Sequence, residues 1–220
     1  ALAMGPEHLS CYEVIYEEDT PLYAQLKAGR FEVDEDLACD MYEALLAAAR
    51  RGGFTQYEVA NFGRRPVEPP GLPRFACRHN IAYWRGRPFH GLGPSASGFV
   101  DGVRTRNVPD TRKWCEALEA GRRAIEFRDE LPPLARAAEI AGFGFRMNIG
   151  WGYEEFRETT GFDLRQEWAE ELAWLERTGW GESTGDRFRL TQEGMRFADQ
   201  VIEQFLRTEA EVAKPAGSGA

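Results

Sequence analysis

Residues 77–98 read CRHNIAYWRGRPFHGLGPSASG, and we take this stretch as the segment around which the fold is organised. It contains two of the three histidines, His79 and His90, and the adjacent aromatic residues Tyr83 and Trp84. A buried helix or strand would repeat its apolar residues at a fixed period, whereas this stretch mixes a ring nitrogen and an amide with flat aromatic faces. The mixture favours a flat ligand with polar edges. The alternative is that the polar residues satisfy loop backbone groups and the aromatic pair belongs to the core.

The second half of this stretch is rich in glycine. Gly91-Leu92-Gly93-Pro94-Ser95-Ala96 fits the loose Gly-x-Gly-x-x-Ala pattern of dinucleotide sites. Residues 97–102 predict a strand and a hairpin, so no helix N-terminus would be available to hold a pyrophosphate. Two interpretations remain open: a strand end that lets a ligand approach the backbone, and a tight turn that needs positive φ.

Length, composition and charge narrow the class of protein. A chain of 220 residues is long enough for one large domain or for two smaller units, and we expect two. With 43% hydrophobic and 29% charged residues and no apolar run of ~20 residues, it predicts a soluble cytoplasmic protein without a membrane span. The formal charge of -9 argues against a general nucleic-acid-binding surface.

The four cysteines are far apart in the sequence: Cys11, Cys39, Cys77 and Cys115. Zinc and iron–sulfur loops usually bring cysteines within a few residues of each other. A zinc site built from Cys77, His79 and His90 would have an unusual spacing and no apparent fourth ligand. We therefore predict no metal site, and scattered thiols of this kind fit a reducing cytoplasm. No set of catalytic residues can be assembled from the motifs.

The N-terminal third predicts alternating strands and helices. Leu9–Tyr16 is rich in β-forming residues, and Tyr57–Ala60 is a second short strand. Between them Asp34 is placed to cap a helix that ends at Gly52. The predicted apolar face of this helix consists of Leu37, Met41, Ala44, Leu45 and Ala48. Strand, helix and strand form the unit of a parallel sheet. The prolines of residues 64–73 predict an irregular loop.

The middle of the chain predicts a hairpin at Asp101-Gly102 and a short helix from Thr111. Residues 122–130 are charged and lead into Pro132-Pro133, which predicts a boundary between units. The pattern then changes to helices separated by glycines, with a hairpin at residues 180–190 and a last helix that begins at Thr191.

This succession of helices and a hairpin is typical of a winged-helix unit, which raises DNA binding by residues 164–178. Charge argues against it, because residues 163–177 contain five acidic side chains and two arginines. We expect no nucleic-acid partner. Residues 209–220 are small and polar and predict a disordered tail.

Four segments, in order along the chain, carry a resemblance to a known family. They are Glu7-His8-Leu9-Ser10-x-Tyr12, Tyr57-Glu58-Val59-Ala60-Asn61-Phe62, Cys77-Arg78-His79-Asn80-x-x-Tyr83-Trp84-Arg85-Gly86, and Gly91-Leu92-Gly93-Pro94-Ser95-Ala96. From residue 1 to about 206 the sequence resembles the oxygen-independent coproporphyrinogen III oxidase-like radical SAM family. Its His-Asn-x-x-Tyr-Trp motif is similar to that of the heme chaperone branch.

The resemblance implies residues for two ligands. The heme-linked group would be His79, Asn80, Tyr83 and Trp84. Positions that match the wall of the family's SAM pocket are Ile15, Ala96 and Ser97. The match is imperfect, because the family usually has Gly-Ala-His-Ser where this chain has Ser-Ala-Ser-Gly at residues 95–98. A histidine of the family is thus replaced by Ser97.

The resemblance also implies an α/β fold class and a domain plan. Residues 1–128 would be the last part of a partial (β/α) radical SAM barrel with its lateral extension. Residues 130–208 would be a mostly helical, winged-helix-like C-terminal domain. The sequence does not begin with Met, and the family's Cys-x-x-x-Cys-x-x-Cys loop does not occur in it. We therefore expect S-adenosyl-L-methionine and the [4Fe-4S] cluster only with a missing N-terminal part.

Three functions follow from the resemblance. The first is a heme chaperone whose partners are heme and heme-accepting proteins. The second is oxygen-independent coproporphyrinogen III oxidation, which the His-Asn-x-x-Tyr-Trp motif disfavours. The third is a binding module without enzymatic activity.

A first prediction concerns the iron–sulfur cluster. This chain alone should neither hold a [4Fe-4S] cluster nor cleave SAM, because its separated cysteines cannot form a three-thiolate loop. Anaerobic reconstitution with iron and sulfide is the measurement. A stable brown species that releases 5′-deoxyadenosine on reduction would contradict the prediction.

Overall fold

The computed structural model describes residues 1–69 and 71–207. Contacts divide the chain into two compact units, Ala1–Cys77 and Arg78–Ala220, which are described separately below. The domain boundary that the family resemblance implies, between residues 128 and 130, does not rest on contacts and stays a prediction. The predicted disordered tail lies outside the described residues.

The described residues of the first unit form five short strands and two helices after a 3₁₀ turn at Leu2–Met4. In chain order they are β1 (His8–Ser10), α1 (Pro21–Lys27), α2 (Glu35–Arg51), β2 (Phe54–Glu58), β3 (Asn61–Arg64), β4 (Val67–Glu68) and β5 (Leu72–Pro73). Strands β1, β3 and β2 form one sheet in that order, and both pairs are antiparallel. Strands β4 and β5 form a separate hairpin.

The predicted parallel sheet is wrong, although β1 and β2 run in the same direction because both pair antiparallel with β3. β1 ends at Ser10 rather than Tyr16, and β3 lies between β1 and β2, so the two predicted strands are not neighbours. The physical reason is local: the chain turns back directly after Glu58, and a tight antiparallel connection needs no crossover. The proline-rich segment is also more regular than predicted, because Val67 pairs with Pro73.

Helix α2 is confirmed, but its buried face is displaced from the predicted one. The Asp34 carboxylate accepts a hydrogen bond from the Leu37 amide at 2.9 Å, as predicted for the N-cap. Leu37 and Met41 are 53% and 65% exposed, however. The core of the unit instead consists of Leu46, Ala49, Phe54 and Phe62. The helix has two apolar stripes, and the sequence does not say which one packs against the sheet.

Up to residue 207, the described part of the second unit contains six strands and seven helices. In chain order they are α3 (Arg78–Trp84), β6 (Ser97–Val100), β7 (Val103–Asn107), α4 (Thr111–Glu119), β8 (Ile125–Glu130), α5 (Pro133–Gly144), β9 (Trp151–Gly152), α6 (Tyr153–Thr160), α7 (Leu164–Glu167), α8 (Ala169–Thr178), β10 (Gly181–Ser183), β11 (Arg187–Leu190) and α9 (Ala198–Phe205). A 3₁₀ turn, Gly194–Phe197, precedes α9.

Strands β6, β7 and β8 form an antiparallel sheet in chain order. The Asp-Gly hairpin is confirmed: Val100 pairs with Val103, and Asp101 and Gly102 have φ of 53° and 80°, which suits a type I′ turn. Most of the charged segment 122–130 forms β8 (Ile125–Glu130), and the boundary predicted at Pro132-Pro133 stays a prediction. The charged side chains of β8 belong to a strand at the edge of the sheet, where they meet solvent.

Aromatic side chains fill the core between α5, α6, α8 and α9. Fully buried rings in this unit include those of Phe145, Trp151, Phe156, Trp168, Phe188 and Phe205. Residues 164–178 form two helices, α7 and α8, because the backbone leaves helical geometry at Trp168. The Trp168 indole nitrogen donates to the Phe205 carbonyl at 3.0 Å. Strands β10, β11 and β9 form a second sheet. Among the described residues, no helix has the length and apolar character needed to cross a membrane.

A second prediction tests the packing of α5. A methyl group added at Gly144 would overlap the Trp151 indole, which is fixed by its hydrogen bond to the Ala141 carbonyl. We expect Gly144→Ala to destabilise the chain by about 1–3 kcal/mol, the usual scale of overpacking. Gly142→Ala is the matched control, because its nearest neighbour is a single Ile202 methyl at 3.0 Å. Urea unfolding measures both, and equal midpoints would contradict the packing.

Candidate functional site

The His-Asn-x-x-Tyr-Trp motif forms helix α3 (Arg78–Trp84). His79 and Tyr83 are four residues apart, so they share one face of the helix. Their rings lie 4.6 Å apart in an edge-on arrangement. His79 is exposed, and neither of its ring nitrogens has a hydrogen-bond partner within residues 1–69 and 71–207. The structure therefore leaves an imidazole available for a ligand beside a half-buried phenol.

A row of half-buried rings continues beyond the motif. The Tyr83 ring lies 4.3 Å from the Phe89 ring, which in turn lies 6.4 Å from the Phe99 ring on β6. Phe89 and Phe99 exchange two backbone hydrogen bonds, of 2.7 and 2.8 Å. A row of rings thus leads from His79 to β6.

Trp84 lies on another side of α3. Five residues separate it from His79, which is about 140° of rotation around the helix. Its ring packs against Phe143, with centroids 6.5 Å apart, and the Arg146 guanidinium lies 5.1 Å from its centre. Its buried indole nitrogen has no hydrogen-bond partner among the described residues. Asn80 is half-buried and lies one turn before Trp84. The structure therefore brings Tyr83 to His79 but not Trp84.

Arg85 holds the C-terminal end of α3, and the sequence analysis gave it no role. Its side chain is buried and donates to the Gly150 carbonyl at 2.8 Å. It also pairs with the Glu155 carboxylate at 3.2 Å and lies 4.2 Å from the centre of the Trp151 ring. Burial lowers the pKa of Arg85 to about 10, and the Glu155 carboxylate opposes this effect.

Gly86 ends the helix for a visible reason. Its φ is 63°, and a Cβ there would lie 2.7 Å from an Ile140 side-chain carbon on α5. Glycine permits both the left-handed turn and this close approach. Arg85 and Gly86 together attach α3 to the helices that follow it. The only sequence signal for this anchor is the position of Arg85 directly after the His-Asn-x-x-Tyr-Trp motif.

The glycine-rich turn is a tight loop rather than a helix start. The Asn107 amide donates to the carbonyls of Gly91 and Gly93, at 3.2 and 2.8 Å. A Cβ at Gly91 would lie 2.6 Å from the Ser97 backbone, so the chain could not pass this closely with a larger residue. Asn107 was not singled out in the sequence, because an isolated asparagine in a strand has no motif.

The three residues predicted for a SAM pocket are placed as follows. Ile15 belongs to the first unit and is 77% exposed, outside any strand. Ala96 and Ser97 belong to the second unit, where Ala96 is half-buried and Ser97 is exposed at the start of β6. Their assignment to SAM stays a prediction.

Two further candidates are the histidine His8 and the side chains that could bind a metal ion. The His8 Nε2 atom lies 2.8 Å from the Tyr57 hydroxyl, and burial lowers the pKa of His8. Within residues 1–69 and 71–207, no three His, Cys, Asp or Glu side chains form a group that could hold a metal ion.

Two surface concavities do not include the motif. One, of about 590 Å³, is lined by residues 32–36 of the first unit. The other, of about 310 Å³, is lined by residues of α6 and of the β10–β11 hairpin, among them Tyr153 and Arg187. The first concavity is the larger, but it is lined by one short acidic segment. The side chains of α3 are therefore the stronger candidate for the functional site.

Comparisons with known proteins agree on one family. Residues 131–197 match the family model of the HemN C-terminal domain. The solved structure of a HemN coproporphyrinogen III oxidase from Escherichia coli, described as a radical SAM enzyme, superposes with a TM-score of 0.67 at 12% identity. It covers 93% of this chain, which covers 49% of that one. The described fold is thus a mixed α/β arrangement like the C-terminal region of HemN.

Curated relatives then narrow the resemblance to one branch. The heme chaperone HemW of Lactococcus lactis is 27% identical over 90% of this chain and 50% of its own length. HemW of Synechocystis is 32% identical over 68% of this chain and 35% of its own length. These findings confirm the resemblance: the chain is related to the C-terminal portion of oxygen-independent coproporphyrinogen III oxidase-like radical SAM proteins, and to HemW among them. It spans about half the length of the HemW of Lactococcus lactis.

A third prediction concerns the anchor of α3. Arg85→Ala should destabilise the second unit by about 2–3 kcal/mol, because it removes a charged hydrogen bond, an ion pair and the contact with Trp151. Arg157→Ala removes an exposed pair with Glu154 from the same region and should cost about 0–1 kcal/mol. Guanidinium unfolding curves measure the difference. A cost for Arg85→Ala no larger than that of the control would show that Arg85 is not an anchor.

Proposed function

We propose that this chain provides the heme-binding part of a radical SAM-type heme chaperone, which binds heme and passes it to heme-accepting proteins. The observation that carries the proposal is the pair His79 and Tyr83 on the exposed face of α3. The similarity to relatives described as heme chaperones supports it.

The chemistry of the pair fits heme. A neutral imidazole is a common axial ligand of heme iron, and the ring nitrogens of His79 make no hydrogen bond in the described part of the chain. An aromatic ring next to the ligand offers apolar contact to a flat macrocycle. The site is open to solvent rather than enclosed, which suits cargo that must leave again for an acceptor.

Finer features of the family remain proposals. We place residues 1–128 in the last part of a (β/α) barrel and residues 130–208 in a winged-helix-like domain. In a protein as long as the HemW relatives, SAM and a [4Fe-4S] cluster would be held mainly outside this chain, with Ile15, Ala96 and Ser97 near SAM. The proposed location is the cytoplasm, and nucleic acid is not a proposed partner.

Coproporphyrinogen III oxidation is the second candidate. The superposition on HemN favours it, but at 12% identity this likeness concerns the fold alone. An exposed imidazole beside an aromatic row serves binding of an iron porphyrin more directly than oxidation of a metal-free one. A binding module without any enzymatic activity is compatible with the same pair.

A fourth prediction tests the ligand. His79→Ala should abolish or shift the Soret band of heme bound to this chain, because the imidazole supplies the axial nitrogen. Hemin titration of the purified chain, followed by absorbance, is the measurement. His90→Ala is the matched control, since His90 is also exposed and lies in the same stretch but outside α3.

The pattern of loss decides between the two histidines. An unchanged spectrum and affinity in His79→Ala, with the loss in His90→Ala or His8→Ala, would place the ligand on another residue. If all three variants gave the same heme spectrum as the unmodified chain, no histidine of this chain would bind the iron, and the proposal would fail.

A further inference from the structure

We infer that Phe89, which lies outside the motif, contacts the heme together with Tyr83, and that Trp84 does not. This inference rests on the proposed function, since it concerns the same cargo at the same face of α3. It replaces one residue of the motif-based site by another.

The first step of the argument is the geometry of the rings. Tyr83 is in contact with two rings, His79 at 4.6 Å and Phe89 at 4.3 Å. A heme macrocycle is about as wide as several aromatic side chains. A heme whose iron binds the His79 imidazole and whose ring contacts Tyr83 therefore extends beyond Tyr83. The ring next to Tyr83 on that path is Phe89.

The second step is that Phe89 is held in place before any ligand arrives. Its amide and carbonyl exchange hydrogen bonds with Phe99 on β6, an edge strand of the three-stranded sheet. Its ring also lies 6.4 Å from the Phe99 ring, and the Arg136 guanidinium lies 5.2 Å from the centre of that ring. A fixed ring loses little conformational entropy on binding, so its contact adds to affinity with little cost.

The third step is that Trp84 already packs against other side chains of the protein. Its ring packs on Phe143 and lies under the Arg146 guanidinium, on the side of α3 that faces α5. To reach a ligand at His79 it would have to leave these contacts and turn through about 140° around the helix. Trp84 therefore acts as a structural residue that keeps α3 on α5.

The test is a hemin titration of the full 220-residue chain and four variants. Phe89→Leu removes the ring and keeps apolar volume, and we expect it to raise the Kd for hemin about three- to tenfold, the scale of one aromatic contact. Trp84→Leu should change the Kd less than about twofold while lowering the thermal midpoint. Phe127→Leu is the matched control, because this exposed phenylalanine on β8 lies outside the ring row. His79→Ala reports on the proposed function itself.

A second measurement needs no substitution and so does not depend on the folding of a variant. In the unmodified chain with labelled phenylalanine rings, diamagnetic zinc protoporphyrin should shift the ring signals of Phe89. The signals of Phe143, beside Trp84, should stay unchanged.

The outcomes separate the two proposals. If His79→Ala loses the Soret band but Phe89→Leu binds like the unmodified chain and Trp84→Leu does not, the inference is overturned and the proposed function stands. If His79→Ala binds hemin normally, the proposed function fails and the inference fails with it. Shifted Phe143 signals with unshifted Phe89 signals would also overturn the inference.

Discussion

The buried guanidinium of Arg85 is the interaction on which the candidate site depends. A cation removed from water is stable only with partners, and Arg85 finds them in the Gly150 carbonyl, the Glu155 carboxylate and the face of Trp151. All three belong to the region matched by the HemN C-terminal domain model. Arg85 directly follows α3, so the same contacts fix the helix that presents His79. The family domain thus serves as the support of the motif.

Because α3 is attached in this way, the short motif has one exposed face and one face that packs against the protein. In seven residues of helix, one face holds His79 and Tyr83 toward solvent, and the other holds Trp84 against Phe143. Helical periodicity divides the motif into an exposed face, to which we assign the ligand, and a packing face. The packing face, which includes Trp84, holds α3 against α5 and so contributes to stability.

The sequence predicted those features that have a local cause. Asp34 as a helix cap and the Asp101-Gly102 hairpin follow from side-chain and backbone preferences of a few neighbouring residues, and both are confirmed. It failed where distant segments compete, as when β3 takes the place beside β1 that was predicted for β2. In the site, the residues of α3 were found, but Arg85 was not. Its partners are more than sixty residues away, and no spacing in the sequence indicates them.

Hydrogen exchange followed by mass spectrometry, with and without hemin, tests the central claim most directly, because it locates the bound cargo without any substitution. The account predicts protection of amides in α3 and in the segment from Phe89 to β6, with little change in α8 and the β10–β11 hairpin. Protection confined to α8 and that hairpin, or to the first unit, would contradict it.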